Sequence, residues 1–186
     1  MDRRDFFKQA CGAGMCSCAV ASWFASATTS AQAEEAPAKP EDWRVSFAQQ
    51  RYAKLLTSLA ARTDDTTVAA VLEDVGRSCA STVPFIATHA GDPDGFFAEI
   101  RQRWHAAVDY DREHGAATLS FGSAGDPCPC GLVKMGVTPP SVCNCSLGWQ
   151  KHAFEIIFGR PVQVELKESL LRGGTKCAFE VRAVPA

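Results

Sequence analysis

The chain has 186 residues, of which 46% are hydrophobic and 22% are charged, and its formal net charge at pH 7 is −2. Acidic and basic residues are interspersed without a basic block or stripe, which argues against nucleic-acid binding. Once an N-terminal segment is set aside, this length predicts one domain.

The N-terminus carries the pair Arg3-Arg4, followed by two phenylalanines, a lysine and a moderately apolar run that ends at Phe24. This pattern resembles a twin-arginine export signal, and Ala31-Gln32-Ala33 has the form of a signal-peptidase site. We therefore predict that residues 1–33 are removed, that residues 34–40 form a linker, and that the protein is exported to the periplasm. A retained anchor is the alternative, but this run is short and diluted for a membrane span. No later segment is apolar enough for one, so no stable span is expected after signal removal.

Three amphipathic helices are predicted for the first part of the domain, residues 41–110. Apolar residues recur at helical spacing after Trp43, after the cap candidates Thr63 to Thr66, and after the turn from Gly91 to Gly95. The third helix is expected to continue through Val108.

The second part of the domain, residues 116–186, predicts short strands around a cysteine-rich loop and one further helix. Strands are predicted at residues 116–121, 131–135, 162–170 and 175–184, with a helix at 147–158 capped by Ser146 and a glycine turn at 173–174. The predicted fold class is therefore α+β, with N-terminal helices packed on a small, mainly antiparallel sheet and a C-terminal helix–strand–hairpin unit.

Two Cys-x-Cys pairs, Cys128-Pro129-Cys130 and Cys143-Asn144-Cys145, dominate the second part. Side chains two residues apart point to the same side of an extended segment, but they point about 200° apart on a helix. Pro129 favours the extended form, so the pairs predict a pocket in which four thiolates meet. We expect the second pair just before a helix, where the N–H groups and the helix dipole would lower the thiol pKa values.

The candidate metal ligands are the six cysteines that remain after signal removal. They are Cys79, Cys128, Cys130, Cys143, Cys145 and Cys177. Cys79 is expected just beyond the second helix, which Gly76 weakens near its end, and a small core residue is its other reading. Thiolates suit zinc and an iron–sulfur cluster equally. Six cysteines in an exported domain also suit three disulfides without a metal, and the sequence leaves both open.

A small hydrophobic molecule is a candidate partner, because several aromatic residues could line an apolar cavity. The candidate ligand-binding residues are Trp104, Trp149, His152 and Phe154, for which plain core packing is the alternative. A cysteine-dependent enzyme is a further alternative, with His152 as the one candidate base downstream of the cysteine pairs. The sequence leaves open whether the protein is an enzyme and whether it forms a homodimer.

The last third of the chain contains a helix, the sequence Gly-Arg-Pro-Val-x-Val-Glu-Leu, two glycines and Cys-x-Phe-x-Val. This order resembles the C-terminal half of the vinyl-4-reductase (V4R) domain. The resemblance implies small hydrophobic ligands and, in several sensory members, a zinc held by cysteines and a glutamate. Cys143 and Cys177 stand at two expected ligand positions, Ser169 replaces a third, and Glu165 and Glu168 flank the glutamate position. The additional sulfurs, from Cys128, Cys130 and Cys145, are then expected to replace the ligand that is missing at Ser169.

Overall fold

The computed structural model describes residues 42–185, which belong to one unit of the chain, Pro40–Ala186. The predicted export signal, residues 1–33, and its linker lie outside the described residues. None of the helices in the described part combines the length and the apolar character that crossing a bilayer requires.

The described residues form helices and one antiparallel sheet, which confirms the predicted α+β class. The α-helices are α1 (Trp43–Ala60), α2 (Asp65–Ser81), α3 (Pro84–Thr88), α4 (Pro93–Trp104) and α5 (Cys143–Phe158). The strands are β1 (Ala107–Asp111), β2 (Ala116–Phe121), β3 (Val162–Glu168) and β4 (Cys177–Ala183). Short 3-10 helices at Pro140–Val142 and Leu170–Arg172 precede α5 and follow β3.

Three helices begin at aspartates whose carboxylates accept hydrogen bonds from backbone N–H groups. Asp42 caps α1, Asp64 caps α2 and Asp92 caps α4, with N···O distances of 2.9–3.0 Å. Such caps satisfy N–H groups that lack a partner inside the helix, and each stabilises its helix by about 1 kcal/mol. These caps confirm the helix starts that were predicted between Thr63 and Thr66 and within the turn that holds Asp92.

The third predicted helix is shorter than expected. α4 ends at Trp104, and His105 follows in the left-handed region with φ 51°. Val108 belongs to β1 instead, where its carbonyl accepts a hydrogen bond of 3.1 Å from Arg101. The prediction was wrong because apolar residues four apart fit a helical period of 3.6 and a strand period of 2 equally well.

The sheet has the order β1-β2-β4-β3, and all neighbours are antiparallel. Leu119 lies opposite Phe179, which lies opposite Leu166, and these side chains share the core face. Two positions further along the ladder, Phe121 lies opposite Cys177. Cys177 therefore points with the core residues, as the alternation of β4 predicted.

Two glycines allow α2 and α5 to touch backbone to backbone. A Cβ added at Gly76 would lie 1.8 Å from the Cys145 carbonyl oxygen, and one at Gly148 would lie 1.9 Å from the Glu73 carbonyl oxygen. The expectation that Cys79 lies just beyond the second helix was wrong, because α2 continues to Ser81, and the exposed Cys79 is not a core residue. Two ion pairs flank this contact: Arg77 with Glu155 at 2.7 Å, and Lys151 with Glu73 at 2.5 Å.

A cluster of thiols between loop, helix and sheet

The segment from residue 122 to residue 139 carries Cys128 and Cys130, and it contains no helix or strand. The strand predicted at residues 131–135 is therefore wrong. In its place, the Val133 N–H closes a turn on the Cys130 carbonyl at 2.9 Å, and Val133 is buried. A buried apolar residue between glycine-rich turns resembles a strand by composition alone.

Helix α1 holds this segment from one side. The side-chain amide of Gln49 donates to the Gly131 carbonyl at 2.9 Å, and the Lys134 ammonium donates to the Ser46 hydroxyl at 3.3 Å. Cys128 and Cys145 both pack against a small apolar cluster formed by Leu56, Val68, Leu72, Val133 and Val142. The first Cys-x-Cys pair is thus brought to the start of α5 by contacts from α1 and α2.

The second Cys-x-Cys pair lies inside α5. The helix begins at Cys143, directly after the 3-10 turn Pro140–Val142, so the start predicted at Leu147 was four residues late. Side chains two positions apart on a helix point in directions about 200° apart around its axis, so the sulfurs of Cys143 and Cys145 diverge. The predicted pocket of four thiolates is therefore split into two groups.

The inner group consists of Cys128, Cys143, Cys177 and Ser169. Cys143 is buried, and its Sγ lies 3.1 Å from the hydroxyl of Ser169, which is 2% exposed. Burial raises the pKa of the Cys128 thiol above its ordinary value, and the charges of Cys130, Cys177 and Cys143 raise it further, although a hydrogen bond from the Cys130 backbone opposes the rise. The electrostatic contacts of Cys128 therefore reach both other thiols of the inner group.

The outer group consists of Cys79, Cys145 and Tyr52. Burial raises the pKa of Cys145 to about 11, and the charges of Cys130 and Cys79 contribute. Burial also raises the pKa of Tyr52 to about 12, with Cys145 and Cys130 as further causes. The lowered pKa expected for a thiol at this helix start is thus wrong for Cys145, because burial and like charges outweigh the helix terminus.

Cys130 connects the two groups, since it interacts electrostatically with Cys128 and with Cys145. All six described cysteines are thereby linked in one network, and all six are free thiols. Within residues 42–185, however, no group of three or more His, Cys, Asp or Glu side chains is arranged to hold a metal ion. Within the described residues, the thiols therefore do not form a ready-made metal site.

Sequence reasoning missed Tyr52, which lies on the inward side of α1 between apolar positions. The available signal was its spacing, since Tyr52 precedes Leu56 by one helical turn and Leu56 is 2% exposed. A tyrosine on a buried helix face carries a hydroxyl that requires a polar partner, so it marks a polar site behind the helix.

Neither glutamate near the resemblance position joins the thiols. Glu165 lies opposite Glu180 in the β3–β4 ladder, on the sheet face away from the core. Glu168 accepts hydrogen bonds from Thr175 and from the Lys176 N–H, which lower the pKa of its carboxyl and fix it at the glycine turn. Of the oxygen-bearing residues near the resemblance motif, Ser169 is the one in contact with a thiol.

The candidate ligand-binding residues separate into surface and core. Trp104 and Trp149 meet edge to face with ring centroids 5.5 Å apart, and Trp104 remains 40% exposed. Phe154 is fully buried and packs among the rings of the main core, 5.6 Å from Phe96. His152 is half-buried on α5. Trp104 is thus the accessible member of the pair and Trp149 is half-buried against the core, whereas Phe154 has the role of a core residue.

Two recesses lie on the described domain, and the second reaches Ser169 of the inner group. One, of about 380 Å³, is lined by His114, Gln163 and Arg182 together with residues near the C-terminus. The other, of about 290 Å³, follows the turn from Leu166 to Gly174. Neither recess is lined by a cysteine or a tryptophan.

No family model and no curated protein matches the chain. Among solved structures, the trafficking protein particle complex subunit 3 from Naegleria fowleri, covalently bound to palmitic acid, is 16% identical, with a TM-score of 0.52 over 78% of this chain and 98% of that one. The phenol-responsive sensory domain of the transcription activator PoxR is 11% identical, with a TM-score of 0.47 over 73% and 74% of the two chains. The H-NOX domain SO2144 from Shewanella oneidensis is 14% identical, with a TM-score of 0.43 over 76% and 78%. At these identities the first similarity shows the fold alone: the chain shares the α+β fold of that subunit.

Proposed function

We propose that this chain is an exported binding domain whose cysteines hold a thiophilic metal, either zinc or an iron–sulfur cluster. The observation that carries the proposal is the packing of Cys128 from the loop and Cys145 from the first turn of α5 against one apolar cluster, beside the buried Cys143. Zinc and iron–sulfur clusters are the usual partners of several gathered cysteines in one domain.

Burial is the main cause of the raised pKa values of Cys128 and Cys145, and repulsion between neighbouring thiolates adds to it. A bound cation removes the repulsion and displaces the thiol protons, so metal binding and proton release are coupled.

The resemblance to the V4R domain supports the inner group as the primary site. Cys143 and Cys177 are the two resemblance ligands, and Cys128 is the nearby thiol that can take the place left by Ser169. Because Glu165 and Glu168 are directed elsewhere, the proposed ligand set consists of sulfur, with Cys130 as the natural fourth ligand.

We also propose that a small hydrophobic molecule would bind at the exposed Trp104, beside the half-buried Trp149. The support is the aromatic surface itself, which continues through Phe121, 6.2 Å from Trp104. A subunit of the same fold carries a covalently bound palmitic acid. Phe121 lies opposite Cys177, so this surface adjoins the inner group.

Metal analysis tests the proposal. The full chain, purified without oxygen, is expected to contain zinc or iron in stoichiometric amount, and an iron–sulfur cluster would add visible absorption. Cys143→Ser and Cys128→Ser are expected to lose the metal. The matched control is the triple replacement of Cys11, Cys16 and Cys18 by serine, which is expected to retain it.

The alternative with three disulfides gives the opposite result. Colourless, metal-free protein in which non-reducing denaturation exposes none of the six thiols would overturn the metal proposal. It would support a disulfide-stabilised interaction domain instead.

A further inference from the structure

The outward side of α1 exposes large apolar and basic side chains together. Trp43 is 68% exposed, Phe47 is 50% exposed and Leu55 is 63% exposed. At 100° per residue, these three and the cations Arg44, Arg51 and Lys54 fall within an arc of about 120°. We call these six residues the outer face of α1.

The aromatic and cationic side chains of the outer face are in contact with one another. The rings of Trp43 and Phe47 meet edge to face at 6.3 Å. The guanidinium of Arg44 lies 5.6 Å from the Trp43 ring, and that of Arg51 lies 4.9 Å from the Phe47 ring. The rings and charges therefore form one assembled patch, with basic groups held beside apolar ones.

The charge on the outer face has one sign. The helix from Trp43 to Ala60 contains no aspartate or glutamate, and Asp42 precedes it as the cap. A helix that combines exposed tryptophan, phenylalanine and leucine with arginine and lysine has the composition of helices that lie in a membrane interface. Its apolar groups enter the acyl boundary while its cations meet anionic headgroups.

We propose that the outer face of α1 docks the domain onto the surface of an anionic lipid bilayer. A second copy of the chain is the less suitable occupant, because a twofold contact through this face would bring Arg44, Arg51 and Lys54 of both copies together without an anion. An anionic bilayer supplies the complementary charge and an apolar layer at the same time. This inference is independent of the thiol cluster, which lies on the inward side of α1.

Vesicle sedimentation tests the inference with the full chain. The protein is expected to bind vesicles of phosphatidylcholine mixed with phosphatidylglycerol more strongly than vesicles of phosphatidylcholine alone. The double variants Trp43→Ser/Phe47→Ser and Arg51→Glu/Lys54→Glu are each expected to lose at least about tenfold in partitioning. For the second variant the reason is that each cation near an anionic surface contributes about 1 kcal/mol.

The matched control is Val71→Ser/Val75→Ser on α2, where the two valines are 42% and 46% exposed outside the outer face. This variant is expected to bind like the parent. Every variant keeps residues 1–41, so a contribution from that segment cancels in the comparison.

Three results would overturn the inference. One is equal partitioning of the parent and both outer-face variants, which would assign the binding to another part of the chain. Another is the absence of vesicle binding by the parent. The third is a dimer in solution that only the outer-face variants disrupt, without vesicle binding, which would make a second copy the occupant.

Discussion

The sulfur of Cys143 lies 3.1 Å from the hydroxyl oxygen of Ser169, and both side chains are buried. This contact joins the first turn of α5 to the end of β3, and it stands beside the Cys177 strand. The same hydroxyl accepts a hydrogen bond of 3.1 Å from the Leu171 N–H, so Ser169 also fixes the 3-10 turn before β4. The inner group is thus built into the C-terminal hairpin.

Removing the hydroxyl should destabilise the fold. Ser169→Ala is expected to lower the free energy of unfolding by about 1–3 kcal/mol, because the buried Cys143 thiol and the Leu171 N–H lose their partner. Urea denaturation measures the change. Ser81→Ala, an exposed serine that bonds within its own helix turn, is the control and should change by less than about 0.5 kcal/mol.

The same position offers a gain of function. Ser169→Cys adds a sulfur beside Cys143, so metal-loaded protein is expected to resist a chelator longer than the parent does. Competition with a chromogenic chelator measures this. Unchanged or faster metal loss in Ser169→Cys would show that the metal is bound away from the inner group.

A methyl group at the helix contact should be costly. Gly148→Ala removes a poor helix former, which alone would stabilise an exposed helix by about 1 kcal/mol. Here the new Cβ would lie 1.9 Å from the Glu73 carbonyl oxygen, so α2 and α5 must separate. We expect a net loss of about 1–3 kcal/mol in the free energy of unfolding. Gly131→Ala, where nothing lies within 4 Å of the added Cβ, is the matched control and should be nearly neutral.

The half-buried thiol of Cys145 and phenol of Tyr52 predict a loss of stability at alkaline pH in metal-free protein. Cys145 has its pKa raised from 9.0 to about 11, and Tyr52 has its pKa raised from 10.0 to about 12. The unfolded chain releases these protons first, so their stabilisation is complete below pH 9.0 and is lost as pH rises towards about 11 and about 12. Denaturation series in this range should show the decline, and Cys145→Ser with Tyr52→Phe should flatten it. An equally steep decline in the double variant would contradict the assignment.

Export is a separate prediction from the sequence. The protein recovered from the periplasm is expected to have the mass of a chain that begins near Glu34, and replacing Arg3 and Arg4 by lysine should retain it in the cytoplasm. Mass spectrometry of the two fractions measures both effects. A periplasmic protein of full-length mass would contradict removal of the signal.

The predictable part of the fold came from short-range rules. The aspartate caps, the strand at residues 116–121 and the core direction of Cys177 follow from capping chemistry and from period-2 alternation. The start of α5 could not be predicted in this way. Pro140 begins a 3-10 turn that passes directly into helix at Cys143, whereas Ser146 gives a false cap signal inside the helix.

The arrangement of the site depends on contacts that distant residues make. Gly76 resembles a helix breaker in the sequence. The close approach of the Cys145 carbonyl explains why a glycine stands at this position inside α2. The side chains of Cys143 and Cys145 diverge because α5 begins at Cys143 and therefore contains both residues. Tyr52 and Ser169 become part of the site through packing of α1 and β3, which no local pattern specifies.

Titration of metal-free protein with Co²⁺ tests the central claim most directly, because Co²⁺ occupies zinc sites and thiolate ligands give it intense charge-transfer absorption. We predict that this absorption appears with one saturating equivalence point, that protons are released in step with it, and that Cys128→Ser and Cys143→Ser each reduce it. Fully reduced protein that binds no Co²⁺, or that binds it without thiolate absorption, would contradict the claim.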